Sequence, residues 1–506
     1  VRVRQRVIVL VAAIAVLAVT LEAVVWMAAN PLPSYWDEAG YYASTVHNTR
    51  LLRHFGLSRF GVAWNFDPFR PPINVILPLP VSLVFQNSLL AMRLVSFAGF
   101  LAAALLAAFT VQRVTRSRES AALALMMLFA SPILVQSTKM LGTEYPLLLA
   151  IAGVLFFGFA TQHRFAWIGL GLAIGLGLLA KTSFVVILVP LLVPVEDRRP
   201  RLSGQAGRLS STGFAVLLGL LIASTWWIHN VATAIRFVLS SRKVVAHSLG
   251  PPWELHTFVR WCEAFARCVS GYGILAVIVI VVAFAQWRTI PRAFVLATSS
   301  SAFLLLIAGY SGTNHNPRWL APAVFLLIVA AAAMASRLMP VLVALVVVQI
   351  IAMTAFHKST IVQSYVWRGV TEVMSPVEQW DFHPVKLFVD RTTHIQIPRI
   401  AVMGAGYQLN PANVEEAWLR DGVDALSRLV WREDYTLPNA VAYAASAQVV
   451  ITAPEFRGDP TDAQPRVNGH NAEFARALTA SGLFAGPFDI DVGVNEPARV
   501  AVFLRR

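Results

Sequence analysis

Apolar runs of roughly 17–25 residues recur along the first 356 residues of this chain, and no other feature restricts its fold so tightly. A run of that length crosses a bilayer only as a helix, because hydrocarbon offers no partner to free backbone N–H and C=O groups. Hydropathy indicates about eleven spans, at 7–29, 74–111 (one membrane-associated stretch plus one full crossing), 120–136, 144–160, 165–180, 183–195, 212–228, 271–286, 293–310, 319–335 and 338–356. The expected architecture is an α-helical polytopic membrane protein, with residues 1–356 as its transmembrane domain and 30–73 as its first outer loop.

Basic residues outnumber acidic ones, 41 to 27. Their placement argues for topology rather than nucleic acid. Arg113, Arg116 and Arg118, then Arg164, then Arg198, Arg199, Arg201 and Arg208, then Arg288, Arg292 and Arg337 all fall on one side by alternation. That is the side of Arg2, Arg4 and Arg6, so the positive-inside rule puts the N-terminus in the cytoplasm. Val7 to Ala29 is longer than a signal-peptide core and reads as an uncleaved first helix. An odd number of crossings then leaves everything after His357 outside, and the chain reads as a multi-pass protein of the plasma (inner) membrane. Composition changes there: acids become frequent and apolar runs shorten to strand length. Residues 357–506 read as a small extracytoplasmic α/β domain, with 357–398 a loose connection, strands at 399–404, 447–452 and 498–503, and helices at 414–429 and 471–481.

Acids before residue 357 are few. Glu119, Glu196 and Asp197 are cytoplasmic and Glu22 lies within the first span, whereas Asp37, Glu38, Asp67, Glu144, Glu254 and Glu263 gather at the outer face. Ionisable groups near membrane depth are costly and mark function. Adjacent Asp37 and Glu38 are flanked by Tyr35, Trp36, Tyr41 and Tyr42, a wall suited to a sugar and equally to an interfacial belt. In Asp67-Pro68-Phe69-Arg70-Pro71-Pro72 the prolines fix the backbone around an arginine able to make bidentate bonds to phosphate or simply to snorkel. Glu144 opens an apolar run, where the helix dipole favours an acid. Lys181 stands between two such runs and either snorkels to the headgroups or binds an anion. Asn314-His315-Asn316-Pro317-Arg318 supplies a histidine and an arginine at the same face. Cys262 and Cys268 fall in an outer segment, where both a disulfide and free thiols are compatible with the spacing.

Taken in order, these segments resemble the GT-C membrane glycosyltransferases, in particular relatives of protein O-mannosyltransferases and of the lipid A aminoarabinose transferase. Asp37-Glu38 matches the acidic motif of the first outer loop, Arg70-Pro71-Pro72 a basic residue before Pro-Pro, and Glu144-Tyr145-Pro146 an acid and proline opening a span. Gly175–Lys181 matches a Gly/Leu-rich helix ending in lysine, Trp226-Trp227-Ile228-His229-Asn230 a helix end, and Arg318-Trp319-Leu320-Ala321-Pro322 a late Arg-Tyr-x-x-Pro motif with Trp for Tyr. The likeness spans about residues 20–335. Arginine stands where lysine is frequent before Pro-Pro, and Glu144 where aspartate is frequent. There is no Trp-Trp-Asp motif of the oligosaccharyltransferase kind.

The resemblance implies an inverting glycosyltransferase that moves a sugar from a polyprenyl-phosphate-linked donor to a hydroxyl of an extracytoplasmic lipid, envelope glycan or protein. Asp37 is then the base, with Glu38 supporting it, orienting the acceptor or holding a divalent cation; no cofactor is otherwise required. Arg70, Lys181 and Arg318 are the donor-phosphate ligands, and Tyr35, Trp36, Tyr41, Tyr42, Asp67, Glu144 and His315 the expected substrate contacts. A transporter or lipid-linked sugar flippase is the rival reading. It calls for broken helices, midplane polar groups or two related halves, whereas the polar residues here cluster at one face. A non-catalytic binding subunit is the third, and it tolerates free replacement of Asp37 and Glu38.

Overall fold

The computed structural model describes residues 2–33, 36–161, 163–196, 211–244, 253–269, 292–311, 317–335, 339–355, 380–404, 409–430, 436–455, 469–494 and 497–506. The expected span at 271–286, Tyr35 and His315 lie outside these residues. In order, the helices are α1 (Arg2–Ala29), α2 (Trp36–Phe55), α3 (Phe60–Trp64), α4 (Ile73–Ile76), α5 (Leu79–Val84), α6 (Leu89–Thr115), α7 (Arg118–Phe129) and α8 (Pro132–Lys139). They continue with α9 (Glu144–Leu155), α10 (Ala166–Ala180), α11 (Phe184–Glu196), α12 (Ser211–Val244), α13 (Leu255–Val269), α14 (Arg292–Ser311), α15 (Ala321–Met334) and α16 (Met339–Ala355).

Among the described residues, four helices are long and apolar enough to cross a membrane: Val3–Ala29, Leu89–Thr115, Ser211–Phe237 and Arg292–Tyr310. The expected span at 120–136 is instead the pair α7 and α8, bent by 61°. Pro132 opens α8 and has no N–H with which to continue the preceding helix. Six further apolar helices are shorter than 18 residues. Residues 30–73, expected as a loop, are largely helical, with α2 and α3 lying between the first two long helices. Likewise α12 runs on past Asn230 to Val244, so the Trp226–Asn230 segment is not a helix end. Cys262 and Cys268 both fall on α13, and Cys262 is a free, exposed thiol.

Local chemistry fixes the turns. Ser88 caps α6 by accepting from the Ala91 N–H, Arg116 ends that helix in the left-handed region (φ 58°), and Ser117 caps α7 by accepting from Ser120. Arg4 pairs with Glu119 at 3.5 Å, so the start of α1 and the α6–α7 turn share one end of the bundle. Close packing sets the position of α10. A Cβ on Gly171 or Gly175 would meet Leu218 or Ile222 at 2.8 Å, and one on Gly219 would meet Ile174 at 2.5 Å. Small residues let α10 and α12 approach closely, the usual device where lipid supplies no hydrophobic drive.

A sheet follows in the last quarter, with α17 (His383–Thr392), β1 (Arg399–Met403), α18 (Pro411–Arg420), β2 (Leu426–Leu429), α19 (Leu437–Ala444), β3 (Val449–Thr452), α20 (Asn471–Ser481), β4 (Phe484–Asp491) and β5 (Arg499–Arg505). Strand order is β2-β1-β3-β5-β4, the first three parallel and the last two antiparallel. Period-two alternation builds both faces. Ile400 and Val402 join Val500 and Val502 on one side, and Ala401 and Met403 join Ala501 and Phe503 on the other. The expected strands and the 471–481 helix are present. The expected helix at 414–429 is instead α18 followed by β2, because Asp421 and Gly422 (φ 82°) end the helix and release the chain. Within the supposed loose connection, 383–392 is helical.

Candidate active site

Asp37 begins the site. It stands in the first turn of α2, where the helix dipole favours a carboxylate. Arg318, from the turn at Pro317–Leu320 that leads into α15, hydrogen-bonds the Asp37 Oδ2. Arg70 Nη2 lies 3.5 Å from Oδ1. Burial alone would raise the Asp37 carboxyl, but Arg318, Arg70 and Lys181 together hold it down at about 2. It is ionised at any physiological pH.

Each cation is placed by its own local structure. Asp67 Oδ1 accepts from the backbone N–H groups of Phe69 (2.8 Å) and Arg70 (3.1 Å), a side-chain turn that aims Arg70 before Pro71 and Pro72. The Arg70 guanidinium sits 5.4 Å from the centroid of the Tyr41 ring, one helical turn after Asp37. Lys181 follows the last residue of α10 in extended conformation. That helix end is fastened by Trp227, whose Nε1–H donates to Leu178 O (3.1 Å), and by Asn74, whose Nδ2 donates to Ala180 O (3.1 Å). Lys181 Nζ donates to Glu144 Oε1 at 3.2 Å and lies 3.9 Å over the Trp319 ring. Arg318 Nε is 4.0 Å from the same Glu144 oxygen.

The site thus joins Asp37, Arg70, Glu144, Lys181 and Arg318, from segments far apart in sequence, with Tyr41 and Trp319 beside them. Three cations face two anions. Glu144 Oε2 and Trp319 Nε1, an acceptor and a donor, are buried without a hydrogen-bond partner among the described residues. Both atoms are open to hydrogen bonds with a ligand that enters the site.

Other expected site residues face elsewhere. Glu38 is fully buried on a different face of α2, with both carboxylate oxygens held at 2.8 Å by Arg93 and one also by the Leu141 N–H at 3.0 Å. It is therefore not placed to orient an acceptor. Tyr42 packs with Leu419 of the C-terminal domain, and Asp67 is engaged in its backbone turn. Among the described residues no three of His, Cys, Asp and Glu converge as metal ligands, and the nearest neighbours of Asp37 are cations. Among the described residues this donor set does not fit a divalent ion.

Two pairs are absent from the sequence reading. Arg93 also donates to the carbonyls of Asn30 and Leu32 (2.9 Å for Leu32), binding the α1–α2 turn to α6. Its signal was a lone charge inside the 74–111 apolar run, where an ionisable group needs a reason. Lys139 Nζ donates to Glu22 Oε2 at 2.5 Å and sits over the Trp26 ring. Each is a single charge on a separate apolar segment, and the pairing resolves both.

Residues 70–229 match the family model described as dolichyl-phosphate-mannose-protein mannosyltransferase. Among solved structures, ArnT from Cupriavidus metallidurans bound to undecaprenyl phosphate superposes with TM-score 0.56 at 13% identity, over 98% of this chain and 97% of that one. The oligosaccharyltransferase of Archaeoglobus fulgidus gives 0.52 at 11%, over 96% and 73%. The arabinofuranosyltransferase AftD from Mycobacteria gives 0.53 at 14%, over 99% of this chain and 40% of the larger protein. No curated protein matches the sequence. The fold is therefore that of a polytopic α-helical membrane protein of the GT-C type with a C-terminal domain.

Proposed function

We propose that this GT-C protein is an inverting glycosyltransferase that uses a polyprenyl-phosphate-linked sugar to glycosylate a hydroxyl on the extracytoplasmic side of the plasma membrane. About eleven crossings, with the N-terminus inside, put residues 30–73 and the domain at 357–506 on that outer side. The observation that carries the reading is the meeting of Asp37 with Arg70, Arg318 and Lys181. The structural relative that holds undecaprenyl phosphate supports a lipid phosphate as ligand.

The chemistry follows from charge. A polyprenyl-phosphate sugar carries one negative charge and leaves as a phosphate monoester carrying a second. Arg70, Lys181 and Arg318 stabilise that developing charge, with Arg70 and Arg318 offering planar forks that fit phosphate oxygens. The acceptor hydroxyl loses its proton to Asp37, its oxygen bonds to the anomeric carbon, and the bond from that carbon to the phosphate oxygen breaks. Attack opposite the leaving phosphate inverts the centre. Glu144 holds Lys181 and Arg318 in place, and Glu38 with Arg93 fixes the first turn of α2.

The test is Asp37→Asn in membranes given a lipid extract rich in polyprenyl-phosphate sugars. A general base contributes about 10²–10⁴-fold, so transfer falls by at least a hundredfold while the protein remains folded. Substantial residual turnover removes Asp37 as the base. Movement of the lipid across proteoliposomes without sugar transfer favours the flippase reading instead.

A further inference from the structure

α2, which carries Asp37 in its first turn, packs on the C-terminal domain as well as on helices of the membrane region. Leu419, on α18, is fully buried in a cluster otherwise drawn from residues before 142: Tyr41, Tyr42, Ala43, Val46, Val75, Leu89, Met92 and Leu141. Eight residues beyond Tyr42, Arg50 Nη2 donates to Leu419 O at 2.8 Å and Nη1 to Asp424 Oδ1 at 2.5 Å. His47, between them, faces Glu415 at 3.3 Å and Asp424 at 3.6 Å. Behind this contact Arg420 ties α18 to Asp381 (2.8 Å) and pairs within the helix with Glu416 (3.2 Å).

We infer that the C-terminal domain positions the carboxylate of Asp37, with Leu419 and Arg50 as the positioning residues that fix α2 in rotation and register. The inference rests on the reading of Asp37 as the catalytic base. A helix turns 100° per residue, so a slip of one position carries Asp37 away from Arg70 and Arg318. Glu38, held by Arg93 and the Leu141 N–H, anchors one side of the first turn. Leu419 joins the buried cluster that holds Tyr42 one turn later, and Arg50 stops the far end from swinging. The domain is thereby part of the machinery that aims the base, and its contribution appears in turnover rather than in donor binding.

The experiment compares Leu419→Ala, Arg50→Ala and Arg50→Lys with wild type in the full-length, detergent-solubilised protein. Transfer is measured from a lipid extract containing polyprenyl-phosphate sugars, normalised to folded protein by gel filtration. Backbone hydrogen exchange of residues 36–46 is followed in parallel. Misplacement by about 1 Å costs on the order of a hundredfold in rate. The expected result is a kcat lowered at least tenfold for Leu419→Ala and Arg50→Ala, unchanged KM for donor, and faster exchange in 36–46. Arg50→Lys keeps the charge and recovers part of kcat. Wild-type transfer with unimpaired kcat in both alanine variants overturns the positioning role alone, whether or not exchange quickens. No transfer by wild type overturns the enzymatic reading on which the inference rests.

Discussion

Replacing Arg93 with alanine tests how the site is held. Arg93 and Glu38 are both fully excluded from solvent, and two hydrogen bonds of 2.8 Å join them. The remaining donors of Arg93 reach the carbonyls of Asn30 and Leu32. Deleting one partner of a buried ion pair costs about 3–5 kcal/mol, since the other charge stays behind without compensation. Each buried carbonyl stripped of its donor adds roughly 1–3 kcal/mol. The total, about 5–11 kcal/mol, equals the whole stability of an ordinary domain, so Arg93→Ala fails to fold. The double variant Glu38→Leu, Arg93→Met removes both charges and keeps the volume. It leaves the two carbonyls and the Leu141 N–H unsatisfied, so the gain of about 3–5 kcal/mol from removing the orphaned charge, less about 1–3 kcal/mol for that N–H, makes it more stable than the single variant by roughly 2 kcal/mol. Fluorescence-detected gel filtration after a heating series, on detergent-solubilised protein, ranks the three forms. A single variant that melts with wild type, or a double variant no better than the single, refutes the reasoning.

Lys181→Met removes one charge-assisted donor from the proposed phosphate site, worth about 1.5–3 kcal/mol, so affinity for undecaprenyl phosphate drops about 10- to 100-fold; native mass spectrometry of the lipid complex reads it, and unchanged binding takes Lys181 out of the proposed clamp. The Glu416 carboxyl is pushed up by burial to about 7, against the pull of Arg420 and with the repulsion of Asp381 and Asp421. Because the folded state holds that proton more tightly than the unfolded one, stability declines as pH rises from about 4.5 to about 7 and then levels, by on the order of 3 kcal/mol. Glu416→Gln flattens that slope in thermal melts between pH 4.5 and 8, and an unaltered slope assigns it to another group.

Much of this was legible before any coordinates. Asp37, Arg70, Glu144, Lys181 and Arg318 were each a charge beside an apolar run, and their cost at that depth marked them. What periodicity lacks is rotation about the helix. Asp37 and Glu38 are neighbours in sequence but 100° apart on α2, so one enters the site and the other is locked to Arg93. Tyr42 is turned toward α18 in the same way, whereas Asp67, outside any helix, accepts from the backbone that aims Arg70. Helix ends in the C-terminal domain escaped hydropathy because Val414 to Leu429 mixes apolar and charged residues throughout, in α18 and in β2 alike; only Gly422 marks the break. At α7 and α8 a run that hydropathy counts as one is bent by 61° where Pro132 opens the second helix, a break that hydropathy does not register.

A carboxyl held at about 2 is a poor base, which bears on how the proposed reaction is ordered. Burial pushes Asp37 up, and only Arg318, Arg70 and Lys181 reverse that. These are the same groups a lipid phosphate needs. In the free site Asp37 stands in for the phosphate and occupies its ligands. A phosphodiester that draws Arg318 and Arg70 away leaves burial unopposed, and the proton affinity of Asp37 rises when an acceptor proton has to be taken. Under the proposed reaction, donor binding then switches the base on, and water meets an inert carboxylate beforehand. The competition has a measurable consequence. Asp37→Asn removes the internal anion, so undecaprenyl phosphate binds the variant more tightly than wild type even though transfer is lost. Two charge-assisted contacts no longer have to be broken, and a gain of tenfold corresponds to about 1.4 kcal/mol, a modest share of their worth. Titration of both proteins with undecaprenyl phosphate at pH 7 decides. Equal or weaker binding by the variant refutes the exchange of partners and leaves Asp37 ionised and paired throughout.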